Sequence, residues 1–275
     1  MSKVWFITGA SRGFGRAFVE AALGRGDRVA ATVRNADALA DLSRQYGEAL
    51  LVLTLDVTNR DAVFQAVGRA TERFGRLDVV VNNAGFGLFG AIEELSEQDI
   101  RHQLDVNVLG ALWVTQAVLP TLRAQKSGHI LQISSIGGVG AFPNLGGYHA
   151  SKWALEGFSE SLAQEVGGLG IKVTLVEPGL FATDWGGASA VRSKPHPAYD
   201  GLRTALASQR SGAKAGDPKA AARALLKVVD AEKPPLRVLF GQMPTKLVQH
   251  LYTQRLKTWG EWEQVSVEAE GTSPS

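Results

Sequence analysis

The sequence predicts an α/β fold, a single doubly wound domain whose seven-stranded parallel sheet carries helices on both faces. Three observations predict it: short apolar runs rich in β-branched residues, longer amphipathic segments between them, and no composition break that would mark an interdomain linker. In chain order the runs are VWFIT, RVAATV, LLVLTLDV, LDVVVNNAG, HILQISS, KVTLVEPG and LRVLFG. Runs this continuous, with no polar alternation, suit strands buried on both faces, which is the environment of a parallel sheet. RAFVEAAL, after the first run, has helical periodicity. Ser96 followed by Asp99 forms a capping-box pattern for a long helix reaching Leu122. The stretch from Gly147 to Val166 reads as the next helix, and Asp217-Pro218 places a cap and an N1 proline before AARALLKVV.

Two regions interrupt the alternation. From Leu180 to Gly216 the chain is rich in Gly, Ala and Ser, too long for an ordinary connection and suited to a lid over a substrate. After Gly241 comes a helix-like segment with Tyr252 and Trp259, then the polar tail SVEAEGTSPS, expected to be disordered. The expected organisation is therefore a domain over residues 1–241, with the lid at about 180–216, and a C-terminal helix and tail over 242–275.

Composition narrows the function classes. Twenty-nine Lys and Arg against 27 Asp and Glu leave a formal charge of +2, which gives no case for nucleic acid or an anionic membrane as partner. No apolar stretch approaches the roughly 20 residues needed to span a bilayer. The chain has no cysteine, which removes disulfides, thiolate catalysis and cysteine-ligated metals, and its five histidines lack metal-ligand spacing. KVWFIT starts at residue 3 without a signal-peptide pattern, so a cytoplasmic location is expected.

The first run leads directly into Thr8-Gly9-Ala10-Ser11-Arg12-Gly13-Phe14-Gly15 and then the first helix. Glycines here permit a tight turn, let the backbone approach a pyrophosphate, and allow close packing of helix on strand; the helix N-terminus then faces the anion. At the first strand-to-helix junction of an alternating chain, this is a dinucleotide site. The second run ends without the acidic residue that would bond both ribose hydroxyls and continues into Arg34. Arg34 and Arg12 suit a 2′-phosphate, so NADP(H) is the expected cofactor.

Tyr148 and Lys152 lie four residues apart, with Ser135 thirteen residues before the tyrosine. On a helix, residues i and i+4 share a face, so the ammonium can reach toward the phenol. At about 4 Å and an effective dielectric of about 20 the attraction is about 4 kcal/mol, on the order of three pKa units, which would bring the phenol toward neutral pH. His149 points about 100° away on the helix and is read as a neighbour without a catalytic role.

Taken together, TGASRGFG, Asp56-Val57, Asn82-Asn83-Ala84-Gly85, Asn107 in DVNVLG, Ser135, Tyr148-x-x-x-Lys152, and Pro178-Gly179 with Thr183 make the chain resemble the short-chain dehydrogenase/reductases, of the compact, roughly 250-residue Rossmann type. The resemblance covers residue 3 to about 241. It implies that Tyr148 is the acid/base, that Ser135 polarises the substrate oxygen, that Lys152 lowers the Tyr148 pKa and holds the nicotinamide ribose, and that Asn107 supports a water-linked proton path. It further implies that Asp56 bonds the adenine amino group with the Val57 backbone beside it, that Asn83, Ala84 and Gly85 line the ribose side of the cleft, and that Thr183, after Pro178 and Gly179, meets the carboxamide or pyrophosphate. Gly9, Ser11, Arg12, Gly13, Phe14 and Gly15 form the phosphate turn. A homodimer or homotetramer is implied as well.

Phe86, Phe89, Ile136, Phe142, Leu145, Phe181 and Trp185 follow or flank these motifs and suggest an apolar substrate pocket. The expected reaction is reversible hydride transfer between NADP(H) and a carbonyl/secondary alcohol pair on a moderately large apolar molecule, with no metal. Two rival readings are an epimerase or dehydratase of the same superfamily, disfavoured by the compact length and modest lid, and a non-catalytic NADP(H)-sensing protein, which would not require the complete Ser135, Tyr148, Lys152 and Asn107 set.

Overall fold

A computed structural model describes residues 2–210 and 214–271. The chain runs β1 (Val4–Ile7), α1 (Gly13–Gly24), β2 (Arg28–Val33), α2 (Ala40–Tyr46), β3 (Leu50–Thr54), α3 (Arg60–Phe74), β4 (Val79–Asn82), β5 (Leu88–Phe89), α4 (Glu97–Leu104), α5 (Gly110–Gln125), β6 (Gly128–Ile133), α6 (Gly146–Val166), β7 (Ile171–Pro178), β8 (Val191–Arg192), α7 (Asp200–Arg210), α8 (Pro218–Asp230), β9 (Arg237–Phe240), α9 (Gln242–Glu261) and α10 (Glu263–Glu268). Seven of the strands form one parallel sheet in the order β3-β2-β1-β4-β6-β7-β9. The expected doubly wound architecture is thus present, and the order reverses between β1 and β4, where such sheets open a crevice at the carboxyl ends of the strands.

The apolar runs bury both faces of the sheet. Trp5, Ile7, Val29, Ala31 and Leu131 meet Phe18, Ala22, Leu42 and Leu225 of α1, α2 and α8, whereas Phe6, Ala30, Val80 and Ile130 meet Val63, Val67, Val118 and Leu162 of α3, α5 and α6. Helix ends follow local chemistry: Ser96 Oγ accepts from the Asp99 N–H, and Asp217 accepts from the N–H groups of Lys219 and Ala220 with Pro218 at the first helical position. Between α4 and α5 the expected long helix contains one π-turn, Asp105–Leu109, which carries Asn107.

The Leu180–Gly216 segment is more ordered than its composition suggests. Val191–Arg192 pairs with Leu88–Phe89 as a two-stranded parallel sheet, and α7 follows. The segment is tied to the body through Glu93 and Glu94: Tyr199 Oη donates to Glu93 at 2.6 Å, and Glu94 accepts from the His196 N–H at 2.7 Å and from Arg203 at 2.5 Å. These contacts also hold the Glu94 carboxyl down at about 2, the His196 N–H first among the causes. Residues 211–213 of the lid lie outside the described residues. Beyond α9, Glu263–Glu268 is helical, so the first residues of the stretch expected to be disordered continue the helical segment; residues 272–275 lie outside the described residues. No helix among the described residues is long and apolar enough to cross a membrane.

Candidate active site

The phosphate turn is built by backbone constraints at the end of β1. Gly9 and Gly13 have φ of +66° and +57°. Gly15, in the first turn of α1, lies so close to the turn that a Cβ there would lie 2.3 Å from the Gly9 carbonyl oxygen. Asn83 braces the same turn, its Nδ2 donating to the carbonyls of Thr8 (2.9 Å) and Gly9 (3.0 Å). Thr8 Oγ1 in turn accepts from the N–H groups of Asn83 and Ala84, at 3.0 Å each. The side chain of Asn83 therefore shapes the cradle, and Thr8 is a supporting residue that the glycine pattern did not single out. Arg12 caps α1 with extended backbone and no side-chain cap bond, leaving the first N–H groups of the helix for an anion. A glycine cradle opening onto a helix N-terminus fits a dinucleotide pyrophosphate.

The arginines divide. Arg34 is exposed beyond β2 and near enough to Asp56 to help lower its carboxyl, although the Thr58 N–H is the larger cause. Asp56 Oδ1 also accepts from Thr58 Oγ1 at 2.8 Å, and Val57 beside it packs on Gly110. Arg12 pairs with Asp184 of the lid at 2.8 Å. This joins the phosphate turn to the segment after Thr183, whose own side chain lies against Gly13.

Four residues assemble where β4, β6 and α6 meet. Tyr148 and Lys152 are both buried on α6. Lys152 Nζ donates to the Ile133 carbonyl at 2.7 Å and lies 5.8 Å from the Tyr148 ring centroid. A Cβ on Gly85 would sit 3.0 Å from Asn107 Oδ1 and 3.8 Å from Lys152 Nζ, so Asn107 and Lys152 flank the same backbone. The Asn107 amide clamps both sides of Phe86, accepting its N–H and donating to its carbonyl, and also donates to Ser151 Oγ at 3.0 Å. Ser151 donates to the Tyr148 carbonyl at 2.7 Å, linking the π-turn to α6. Ser135 Oγ accepts from the Gly137 N–H, and its hydroxyl also lies by the Tyr148 phenol.

The electrostatics differ from the sequence expectation at one point. Burial pushes the Tyr148 phenol up to about 12, with Ser135 pulling the other way, and pushes Lys152 down to about 8, opposed by Glu156. In this geometry dehydration of the phenol outweighs any attraction to the ammonium, which is spent on the Ile133 carbonyl. His149 is buried, accepts the Phe142 N–H at Nδ1, and is held neutral, near 4, by burial. It supports the Phe142 loop.

Of the expected apolar pocket, Phe89, Leu145 and Trp185 gather around Tyr148: Trp185 lies 4.9 Å from the Tyr148 ring and 5.2 Å from that of Phe89. Ile136 is buried just after Ser135. Phe142 packs edge-on against His149. Phe181 is not part of this cluster: it packs edge-on against Phe14 at 5.0 Å and joins the core face of α1 and α8, because the chain turns back toward α1 after β7. Gly179, after Pro178, abuts Pro244 at the start of α9, where a Cβ would come within 2.5 Å.

Comparison with known proteins accords with this geometry. Residues 3–192 match the short chain dehydrogenase family. An oxidoreductase of Botryotinia fuckeliana is 46% identical over 245 residues, covering 88% of this chain and 89% of its relative. The crystal structure of a short-chain dehydrogenase from Streptomyces avermitilis superposes with a TM-score of 0.91 at 40% identity, covering 98% of each chain. An alcohol dehydrogenase from Thermococcus sibiricus, solved with 5-hydroxy-NADP, is 28% identical with a TM-score of 0.74 and covers 87% of this chain and 96% of its own. Sequence, sheet order and the match across most of the chain lead to one assignment: the chain belongs to the short-chain dehydrogenase/reductase family of oxidoreductases.

Proposed function

We propose that the protein is an NADP(H)-dependent oxidoreductase that interconverts a carbonyl and a secondary alcohol on a moderately large apolar substrate, with Tyr148 as acid/base. The observation that carries this reading is the buried phenol of Tyr148, with the Ser135 hydroxyl beside it and Phe89, Leu145 and Trp185 around it. The phosphorylated cofactor is favoured by Arg12 and Arg34, by the lack of an acidic residue at the end of β2, and by the NADP analogue bound to the Thermococcus sibiricus relative. The phosphate turn would hold the pyrophosphate, Arg12 and Arg34 the 2′-phosphate, and Lys152 the nicotinamide ribose. When bound, the dinucleotide supplies or accepts the hydride.

The chain's own residues handle the oxygen and its proton. During reduction, Ser135 donates to the carbonyl oxygen and Tyr148 delivers its proton to that oxygen as negative charge develops. Burial keeps the phenol fully protonated at neutral pH, which suits a donor. The apolar box excludes water from this transfer and accepts the hydrocarbon part of the substrate. In alcohol oxidation the same groups act in reverse, and the Lys152 charge favours the phenolate that forms.

Tyr148→Phe removes the proton and leaves the cradle intact. Its expected outcome is near-complete loss of turnover, with cofactor affinity within about threefold of the parent as read by fluorescence titration. A kcat like the parent's in this variant would sink the assignment. A spectrophotometric screen of ketones and alcohols with NADPH, NADH and their oxidised forms tests the remainder: bulky apolar substrates with the phosphorylated cofactor are expected to be preferred.

A further inference from the structure

One helical turn beyond Lys152, on the same face of α6, lies Glu156, which is 5% exposed. Its Oε2 accepts from Arg237 Nε at 2.9 Å, while Oε1 is turned away from Arg237 toward the Ser134 hydroxyl. Gly138 makes room for the carboxylate, since a Cβ there would lie 2.6 Å from Ser134 Oγ and 3.0 Å from Glu156 Oε1. From β7 comes a second buried carboxyl, Glu177, whose Oε1 is 3.6 Å from Arg237 Nε and also has no hydrogen-bond partner among the described residues. Arg237, on β9 at the sheet edge, turns its other nitrogen outward to Glu160 at 2.7 Å. The charged groups that face Glu156 are therefore Lys152 and Glu160 on its own helix, Glu177 from β7 and Arg237 from β9, with the Ser134 hydroxyl from the end of β6.

Two buried carboxyls share one guanidinium, and that guanidinium is also claimed by Glu160. Both cannot stay ionised in such a place, so the proton goes to the one with less support. Burial pushes the Glu156 carboxyl up, and the Ser134 hydroxyl and Arg237 pull against it. Glu177 has only the longer approach to Arg237, and burial together with the Glu156 charge pushes it up to about 8. Of the two carboxyls, Glu156 lies the closer to Arg237, 2.9 Å against 3.6 Å. Lys152, whose ammonium is held in a dry seat by a single carbonyl, then has Glu156 as its opposing charge.

We propose that Glu156 is a positioning residue that keeps the Lys152 ammonium charged in its buried seat, with Arg237 holding the Glu156 carboxyl in place and Glu177 competing for the same guanidinium. The proposal rests on the role given to Lys152 above. It makes the charge of the active-site lysine depend on a strand at the far edge of the sheet. A purely structural clamp between α6 and β9 would hold the elements together equally well but would leave the lysine titration where it is.

The test is a titration of the cofactor-free protein followed by NMR of lysine labelled with 13C at Cε, with Lys152→Arg used to assign the resonance. Glu156→Gln is expected to lower the Lys152 midpoint by about one pH unit, and the alkaline limb of kcat should move down with it. Glu156→Asp should restore most of the shift, and Glu160→Gln, which removes only the outer partner of Arg237, should move the midpoint far less than Glu156→Gln. An unchanged Lys152 midpoint in folded Glu156→Gln overturns the proposal. Should that variant fail to fold, the wild-type protein labelled at glutamate Cδ gives the answer, with Glu177→Gln for assignment. Glu177 should then titrate near 8, and the Glu156 resonance should show a step at the Lys152 midpoint; no such step overturns the proposal. Full turnover in Lys152→Met would instead refute the functional reading, while the titration stands apart from it.

Discussion

At the scale of single residues, the spacing of Tyr148 and Lys152 identifies the pair but not its dryness or where the ammonium points. Sequence periodicity places both on one helical face, and the structure agrees. It contains no information on the Ile133 carbonyl that takes the ammonium, or on the burial that raises the phenol, because both depend on β6 arriving beside α6. The glycine turn was more legible, since its restriction is local. Gly15→Ala would drive a Cβ to 2.3 Å from a backbone oxygen that no rotamer change can move. The expected result is a cofactor affinity at least about tenfold weaker and a stability loss of about 1–3 kcal/mol, read by fluorescence titration and urea unfolding. Gly24→Ala, where nothing lies within 4 Å, is the control and should leave binding unchanged.

Among the elements, the strands were legible because a strand buried on both faces shows itself as an unbroken apolar run. The lid was not. Its order comes from Tyr199 and Arg203 meeting Glu93 and Glu94, partners 106 and 109 residues away, which no local pattern reports. The two aromatic residues that bracket Thr183 looked equivalent in sequence, yet Phe181 joins the α1 core and Trp185 joins Tyr148. They should behave differently on substitution. Phe181→Ala is expected to cost about 2–3 kcal/mol of stability by urea unfolding with little change in kcat. Trp185→Ala is expected to cost less than about 1 kcal/mol and to change KM for bulky ketones severalfold while sparing small ones. Equal effects of the two substitutions on KM would contradict the separation of core from pocket.

For the whole molecule, the buried ionisable groups make stability depend on pH. Glu177 titrates near 8 when folded against an ordinary 4.5, so the folded state holds a proton that the unfolded chain has released across that interval. Stability therefore falls as pH rises through it. Buried His129 and His149 are both near 4 against an ordinary 6.5, so between those values the unfolded chain binds more protons and stability rises with pH. These opposing trends overlap below 6.5, and above it the carboxyl acts without the histidines. The expected outcome is an unfolding free energy that declines from pH 6.5 to 8, and a Glu177→Gln variant in which that decline is flattened; urea unfolding at several pH values checks it. An undiminished slope in the variant would place its origin elsewhere. Most of the architecture could be read from the sequence because periodicity and turn chemistry determine it locally, whereas these buried charges emerge only when β7, β9 and α6 converge.

The anchoring of the lid at Glu93 and Glu94 has a practical consequence. The segment joins the body at these two acids, at the short pairing of Leu88–Phe89 with Val191–Arg192, and at Arg12 through Asp184, while none of the seven strands of the main sheet belongs to it. It is organised as an exchangeable cassette: grafting a different stretch between Phe181 and Arg210, with Trp185 and the residues that meet Glu93, Glu94 and Arg12 retained, is expected to change the surface the segment presents while the packing around Tyr148 stays as it is.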